Sequence, residues 1–102
     1  MKRSIDSIPL ASSLSTLSDP LRLRMLRVLE REELAVGEVA KIVQLPQSTV
    51  SRHLKTLADG GWLSRRSEGT ATLYRVVLDD LEVAMRSLWV TVRDSINEQS
   101  SL

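Results

Sequence analysis

Apolar residues recur along the chain at helical spacing, with polar residues between them. Stripes of this kind, with members three and four residues apart, are typical of helices that bury one face. Prolines and glycines between the stripes mark helix starts and stops. The pattern predicts five helices, over about residues 9–17, 20–30, 36–43, 46–59 and 79–98.

Two β-prone runs lie between the fourth and fifth predicted helices. Residues 62–66 and 71–77 flank a polar turn that contains Gly69, which predicts a β-hairpin. A shorter β-prone stretch covers residues 34–36. The predicted fold is therefore mainly α with a two-stranded hairpin, a winged helix-turn-helix in the order α-α-α-α-β-β-α.

The chain has 102 residues, which is the length of one domain. We expect residues 9–98 to form a winged-helix domain for DNA binding and dimerisation, with flexible ends at 1–8 and 99–102. Cysteine is absent, so disulfides and thiolate metal sites are excluded. Because the sequence has no apolar run of about 20 residues, it predicts no membrane partner and a cytoplasmic protein.

Charge is unevenly distributed along the chain, although the net charge is only +1. Between residues 47 and 75, five basic side chains stand against two acidic ones. Between residues 79 and 98, five acidic side chains stand against two basic ones. The first segment is therefore the one expected to face phosphate.

A row of arginines marks the second predicted helix. Arg24, Arg27 and Arg31 recur at helical spacing along one face. Glutamates follow at residues 30, 32 and 33, and local ion pairing with them is the simplest expectation for these cations.

The predicted helix over 46–59 divides into two sides when it is plotted at about 100° per residue. Val50, Leu54 and Leu57 form an apolar side, while hydroxyl, amide and cationic groups lie opposite or near the N-terminus. Such groups contact base edges and phosphates, and a recognition helix contacts bases mainly through its first residues. The alternative is an ordinary solvated face. The candidate DNA-binding residues on this helix are Gln47, Ser48, Thr49, Ser51, Arg52 and Lys55.

The hairpin that follows is basic. Arg65 and Arg66 precede its turn and Arg75 follows it, which predicts a wing that contacts the DNA backbone or minor groove. Glu68 at the tip disfavours deep insertion. An ordinary surface hairpin is the alternative interpretation.

Three runs of the sequence resemble the ArsR/SmtB winged-helix transcriptional regulators. They are residues 17–29, 47–57 and 61–76, with the sequences LSDPLRLRMLRVL, QSTVSRHLKTL and GWLSRRSEGTATLYRV. The resemblance implies a homodimer that binds a palindromic operator in double-stranded DNA and represses transcription. It also implies that the first and last helices form the dimer interface. An intramolecular core is the alternative role for the apolar stripe of the last helix. The candidate interface residues are Leu10, Leu14, Leu81, Met85, Leu88, Trp89, Val92 and Ile96.

The chain departs from the metal sensors of that family. They often carry a Cys-x-Cys-like motif where this sequence has Ala35 and Gly37. Other members use histidine with carboxylates on the last helix, but the only histidine here is His53. We therefore expect no metal site and no cofactor. Asp79 and Asp80 are interpreted as caps of the last helix, and the later acids as solvated charges.

Other functions are less well supported by the residues. We find no nucleophile–base pair and no phosphate-binding glycine loop, so an enzyme is not expected. A winged-helix module for protein–protein assembly remains an alternative. Residues 30–55 are also similar to DNA-binding domains that precede a methyltransferase domain in longer proteins, so the chain could be part of a larger regulator. The operator, the effector and the regulated genes cannot be derived from the sequence.

Overall fold

The computed structural model describes residues 9–100, so the end predicted at 1–8 and residues 101–102 of the end predicted at 99–102 lie outside the described residues. The predicted winged helix-turn-helix is confirmed, with the five helices in the expected places. The elements are α1 (Pro9–Leu17), α2 (Pro20–Arg31), β1 (Leu34–Ala35), α3 (Val36–Val43), α4 (Gln47–Asp59), β2 (Ser64–Glu68), β3 (Ala71–Arg75), a 3₁₀ turn (Leu78–Asp80) and α5 (Val83–Ser100).

Helix α2 forms the centre of the core. Its start is fixed by Asp19, whose carboxylate accepts a hydrogen bond of 2.8 Å from the Leu21 N–H, and by Pro20 in the first turn. The helix buries Met25, Leu26 and Leu29 completely or nearly so. Helices α1, α3 and α5 and strand β3 contact or surround this side of α2, and together they enclose an aliphatic core.

The hairpin belongs to a three-stranded sheet, which corrects the predicted two-stranded arrangement. Strand β1 pairs antiparallel with β3, with Leu34 opposite Tyr74, and the strand order is β1-β3-β2. The hairpin turn is also tighter than predicted, because β2 continues to Glu68 and Gly69 turns the chain at a φ of 61°. Strand β1 lies in the β-prone stretch predicted over residues 34–36, but its pairing with β3 was not predicted, because two residues carry almost no periodic signal.

Helix α5 starts later than predicted, and a different carboxylate caps it. The Glu82 side chain accepts hydrogen bonds from the backbone N–H groups of Ala84 and Met85 at 3.1 and 3.3 Å. The predicted caps were wrong: Asp79 forms an ion pair with Arg86, and Asp80 accepts a hydrogen bond from Ser64. The helix continues to Ser100, two residues beyond the predicted end.

Trp89 on α5 is completely buried within the chain. Its indole N–H donates to Glu30 of α2 at 2.9 Å, and Arg93 donates to the same carboxylate at 2.6 Å. Burial opposes the charge of Arg93, but the hydrogen bond to Asp94 and the charge of Glu30 outweigh it and raise the pKa of Arg93. Trp89 therefore belongs to the seam between α2 and α5.

The predicted dimer stripe divides into two groups. Trp89 and Leu81 have almost no accessible surface, so the prediction that they form interface surface is corrected: their side chains fill the chain's own core. Leu10 and Leu14 on α1 are about half exposed, at 47% and 51%. The remaining α5 members are partly buried, and they are Met85, Leu88, Val92 and Ile96. Among the described residues, no helix is long and apolar enough to span a membrane.

Candidate nucleic-acid interface

A tight left-handed turn joins α3 to α4. Gln44 adopts a φ of 59°, and its N–H donates to the Ala40 carbonyl, as does the N–H of Leu45 at 3.2 Å. Pro46 then fixes the extended backbone that precedes α4. This is the helix-turn-helix connection that the sequence predicted, and it places α4 across the core with a defined face outward.

The two sides of α4 are those predicted. Val50, Leu54 and Leu57 are completely buried. Opposite them is a surface that we call the polar side of α4, whose exposed members are Gln47, Ser48, Ser51, Arg52 and Lys55. Thr49 is partly buried at its border. Because the apolar side is fully used in the core, the polar side can contact a partner without disturbing the fold.

The N-terminus of α4 has no side-chain cap. Pro46 precedes the helix and its carbonyl accepts from the N–H groups of Thr49 and Val50, both at 3.1 Å. The first turn of the helix also contains no acidic residue. The N–H groups of Gln47 and Ser48 therefore point out of the helix at its positive end, where phosphate oxygens bind readily.

Gln47 lies directly against α3, a contact that the sequence did not reveal. A Cβ atom at Gly37 would be only 3.1 Å from the Gln47 amide nitrogen, so the absence of a side chain at residue 37 lets this amide approach the helix. Gly37 has a negative φ, so backbone strain does not require glycine there. One signal in the sequence could have indicated this contact. Glycine lowers the stability of a helix, and no turn near residue 37 explains its presence there.

The two cations of the polar side differ in their surroundings. Lys55 forms an ion pair of 3.3 Å with Asp59, one turn later on the same helix. Within the part of the chain that the structure describes, the Arg52 guanidinium has no hydrogen-bonding or ionic partner. Arg52 is therefore the more available donor for a base edge or a phosphate.

The wing, which is the hairpin Ser64–Arg75, has two faces. Arg65 pairs in register with Tyr74, whose side chain is buried, so both point to the helical side of the sheet. Arg66 and Arg75 alternate to the opposite face. The structure therefore separates the three predicted wing cations instead of bringing them together.

Arg66 is held by carboxylates. Its guanidinium donates to both oxygens of Glu33 at 2.7 to 3.0 Å, and to Glu68 at 3.0 Å. The hydrogen bond from Arg66 holds the pKa of Glu33 below its ordinary value, and the charge of Arg75 acts in the same direction. The same hydrogen bond raises the pKa of Arg66. Glu33 was missed by the sequence reasoning because it lies 33 residues before Arg66.

Metal ligands do not gather in the described region. Between residues 9 and 100, no group of three or more histidine, aspartate or glutamate side chains could hold a metal ion. His53 lies half-buried on α4, at the edge of its apolar side. Ala35 and Gly37 occupy the end of β1 and the first turn of α3.

Comparison with known proteins agrees with this geometry. Residues 17–63 match a family model described as a helix-turn-helix domain. The chain is 32% identical over 79 residues to the arsenical resistance operon repressor of Staphylococcus xylosus, covering 78% of this chain and 76% of the relative. It is 32% identical over 84 residues to a transcriptional repressor SmtB homolog of Synechocystis sp., covering 72% of this chain and 64% of the relative.

A solved structure extends the likeness to nearly the whole chain. The homodimeric winged helix-turn-helix DNA-binding domain of a possible ArsR-family regulator from Mycobacterium bovis superposes with a TM-score of 0.73 and 26% identity. The alignment covers 96% of this chain and 92% of that domain.

Proposed function

Because the chain belongs to the ArsR/SmtB family of winged helix-turn-helix regulators, we propose that it is a transcriptional repressor that binds double-stranded DNA. It acts as a homodimer on a palindromic operator. The observation that carries this proposal is the polar side of α4. That surface is exposed and its helix N-terminus is uncapped, while the opposite side of the helix is completely buried.

Individual roles follow from the surroundings of each side chain. Arg52 and Gln47 are the base-contacting candidates, since their side chains suit guanine and adenine edges respectively. Ser48, Thr49 and Ser51 contact phosphates or bases near the start of α4, and Lys55 contacts phosphate after exchanging its partner Asp59. On the wing, Arg65 and Arg75 contact the backbone. Arg66 holds the wing in place through its ion pair with Glu33, and it is not proposed as a DNA contact.

The dimer interface is proposed on α1 and α5. Leu10 and Leu14 remain half exposed on α1, next to the partly buried stripe of α5. A second copy would remove these apolar surfaces from water, which is the main stabilising contribution in such interfaces. The interface residues proposed are Leu10, Leu14, Met85, Leu88, Val92 and Ile96. The M. bovis domain is homodimeric, which supports a homodimer, while the choice of α1 and α5 rests on the exposed apolar residues of α1 beside the α5 stripe.

The protein acts by binding and not by catalysis, in the cytoplasm where the chromosome is accessible. Membership in a family of DNA-binding regulators supports both statements. Two alternative functions are less favoured: a module for protein–protein assembly, and a DNA-binding domain that belongs to a methyltransferase. The relatives named above are repressors.

The proposal is tested by electrophoretic shift of the DNA upstream of the protein's own gene, repeated at several salt concentrations. A DNA-binding repressor gives a discrete complex whose affinity falls steeply with salt as counterions are released. Protection mapping should then show two half-sites about one helical turn apart, or a multiple of it. A complex no tighter than that with scrambled DNA at low salt would contradict the proposal.

A further inference from the structure

The arginine row of α2 is not used by the proposed DNA interface. Arg24, Arg27 and Arg31 lie at i, i+3 and i+7 on the face of α2 opposite the buried Met25 and Leu29. Seven residues of helix place the two ends of this row about 10 Å apart. Like charges at this spacing repel each other, so the row has a cost that a partner of opposite charge would remove.

The expected local ion pairs do not form. Glu30 accepts instead from Trp89 and Arg93 on α5, and Glu33 accepts from Arg66 on the wing. In the described part of the chain, no salt bridge reaches any of the three arginines of the row. Glu30 and Glu33 are thus engaged with other elements. Glu32 lines the groove beside Arg31 but forms no salt bridge with it, so no ion pair within residues 9–100 neutralises the row.

Neutral groups anchor two of the three arginines. Arg24 donates to the main-chain carbonyl of Ile42 at 2.9 Å, and Arg27 donates to the Asn97 side-chain oxygen at 2.8 Å. Within residues 9–100, the side chain of Arg31 has no hydrogen-bonding partner, and it is exposed. Each guanidinium carries five N–H donors, so most donors of the row remain available for a ligand.

Two adjoining grooves follow the row. One has a volume of about 410 Å³ and is lined by Arg24, Arg27, Arg31, Glu32 and the apolar Val28. The other has a volume of about 330 Å³ and lies between α2 and α5, where it shares Arg27 and Arg31 and adds Asn97. Both grooves are open to solvent, and their volumes are near the lower end of the range for small-molecule sites, about 300 Å³.

We propose that this row is a binding site for a small organic or inorganic molecule with two or more negative charges, such as a polycarboxylate or a phosphate ester. Guanidinium groups bind carboxylates and phosphates through paired, charge-assisted hydrogen bonds, and three of them side by side match a polyanion. The grooves are concave, and the carboxylates of Glu30, Glu32 and Asp94 line them. Those carboxylates would repel the continuous phosphate backbone of a duplex more than a small molecule that contacts only the arginines.

The site also connects two functional elements. Ile42, which holds Arg24, is near the end of α3, immediately before the turn into α4. Asn97, which holds Arg27, is on α5. A polyanion in the grooves would therefore bind guanidinium groups that also tie α2 to both neighbouring helices.

The test is a calorimetric titration of the full chain with pyrophosphate and, separately, citrate, at constant ionic strength and without DNA. We expect saturable binding by at least one probe. The double variant Arg27→Gln with Arg31→Gln should weaken that binding about tenfold or more, as expected for the loss of charge-assisted hydrogen bonds. The matched control is Lys41→Gln with Arg86→Gln, which removes the same charge from side chains outside both the arginine row and the proposed DNA interface, and it should leave the binding unchanged.

Two outcomes would overturn the site: no saturable binding of either probe in the millimolar range, and equal weakening in the control variant. If neither probe binds and Arg31→Gln also loses DNA affinity, the row is instead a contact of the DNA backbone. Should the double variant fail to fold by circular dichroism, Arg31→Gln alone decides, because Arg31 is exposed and glutamine is a good helix former. Since the titration contains no DNA, its failure leaves the proposed repressor function standing.

Discussion

The recognition helix and the wing are both basic in sequence, but they present their charge differently. On α4, Arg52 has no partner within residues 9–100, and the helix N-terminus is uncapped. On the wing, Arg66 is bound to Glu33 and Glu68, and Arg75 lies in the field of the same Glu33. Only Arg65 faces the helical side without a counter-ion in the described region.

The difference shows that the number of basic residues in the sequence overstates the number of cations that are free to contact DNA. A guanidinium that already donates to two carboxylates must lose those bonds before it can contact phosphate, so its net contribution is small. The wing is therefore expected to orient and support the complex, whereas α4 supplies the base contacts. Substitutions in the two regions should separate these roles.

The largest effect is expected at Arg52. Arg52→Ala should weaken operator binding by about 1–3 kcal/mol and relax the preference at one base pair, because a bidentate contact to guanine is lost. Fluorescence anisotropy with the operator and its single-base variants measures both quantities. Lys55→Ala on the same helix is the control, with a smaller and sequence-independent loss. Unchanged base preference in Arg52→Ala would assign base recognition to other residues.

A smaller and different effect is expected at Arg65. Arg65→Ala should weaken binding to every sequence alike by about fivefold, the equivalent of one lost hydrogen bond of about 1 kcal/mol. The slope of log affinity against log salt should fall by about one, because one phosphate contact is removed. Arg66→Ala is the matched comparison, and its loss should be smaller. A larger loss for Arg66 than for Arg65 would reverse the roles given to the two side chains.

Removal of Glu33 should strengthen DNA binding slightly. Glu33→Gln frees Arg66 and deletes a negative charge beside the wing, so affinity for all sequences should rise a few-fold and the salt slope should become steeper. The same binding assay at several salt concentrations measures this. The double variant Glu33→Gln with Arg66→Ala should lose the part of the gain that comes from freeing Arg66 and keep only the part that comes from deleting the negative charge. An affinity that falls in Glu33→Gln would mean that wing orientation outweighs the released charge.

A substitution at Gly37 should stabilise the fold and at the same time change the base preference. Gly37→Ala should raise the melting temperature, since alanine stabilises a helix over glycine by up to about 1 kcal/mol. The new Cβ would press on the Gln47 amide at 3.1 Å, so the base preference near the start of α4 should shift. Gln47→Ala in the same background should abolish that shift. An unchanged preference with a raised melting temperature would show that Gln47 does not contact a base.

The smallest effect is the response of the wing to acid. Because the pKa of Glu33 is lowered in the folded state, its ion pair contributes stability at pH values above the unfolded pKa. That contribution is lost as the pH falls through the lowered folded value. The protection factors of the β2 and β3 amides, which are exchange rates corrected for the intrinsic pH dependence, should therefore fall at acid pH in the wild type, and Glu33→Gln should show no such transition. Arg66 is exposed and Glu33 is only partly buried, so the change should be slight.

Local patterns in the sequence predicted the helices well. The apolar side of α4 could be predicted because Val50, Leu54 and Leu57 repeat at helical spacing, and the glycine stop was confirmed by Gly61 at a φ of 85°. The cap of α5 could not be assigned correctly, because three carboxylates in four residues are equivalent in sequence. Only the backbone geometry distinguishes Glu82 from the other two.

Long-range pairs were beyond the sequence. Nothing local links Glu33 to Arg66, or Glu30 to Trp89 some 59 residues away, since these contacts depend on how the elements pack. The same reason explains why Trp89 was predicted at an interface: an amphipathic stripe has the same pattern whether it meets another chain or its own core. The candidate residues of α4 were predictable, but their availability was not.

The burial of Trp89 against Glu30 has a spectroscopic consequence. The chain contains only two tryptophans, a single tyrosine and no phenylalanine, so its ultraviolet emission comes almost entirely from Trp62 and Trp89. Trp62 follows the end of α4 in apolar surroundings, whereas the Trp89 indole donates to a carboxylate in the seam between α2 and α5. The two halves of the molecule therefore carry chemically distinct optical reporters, and loosening of the α5 seam can be followed separately from loosening of the recognition helix.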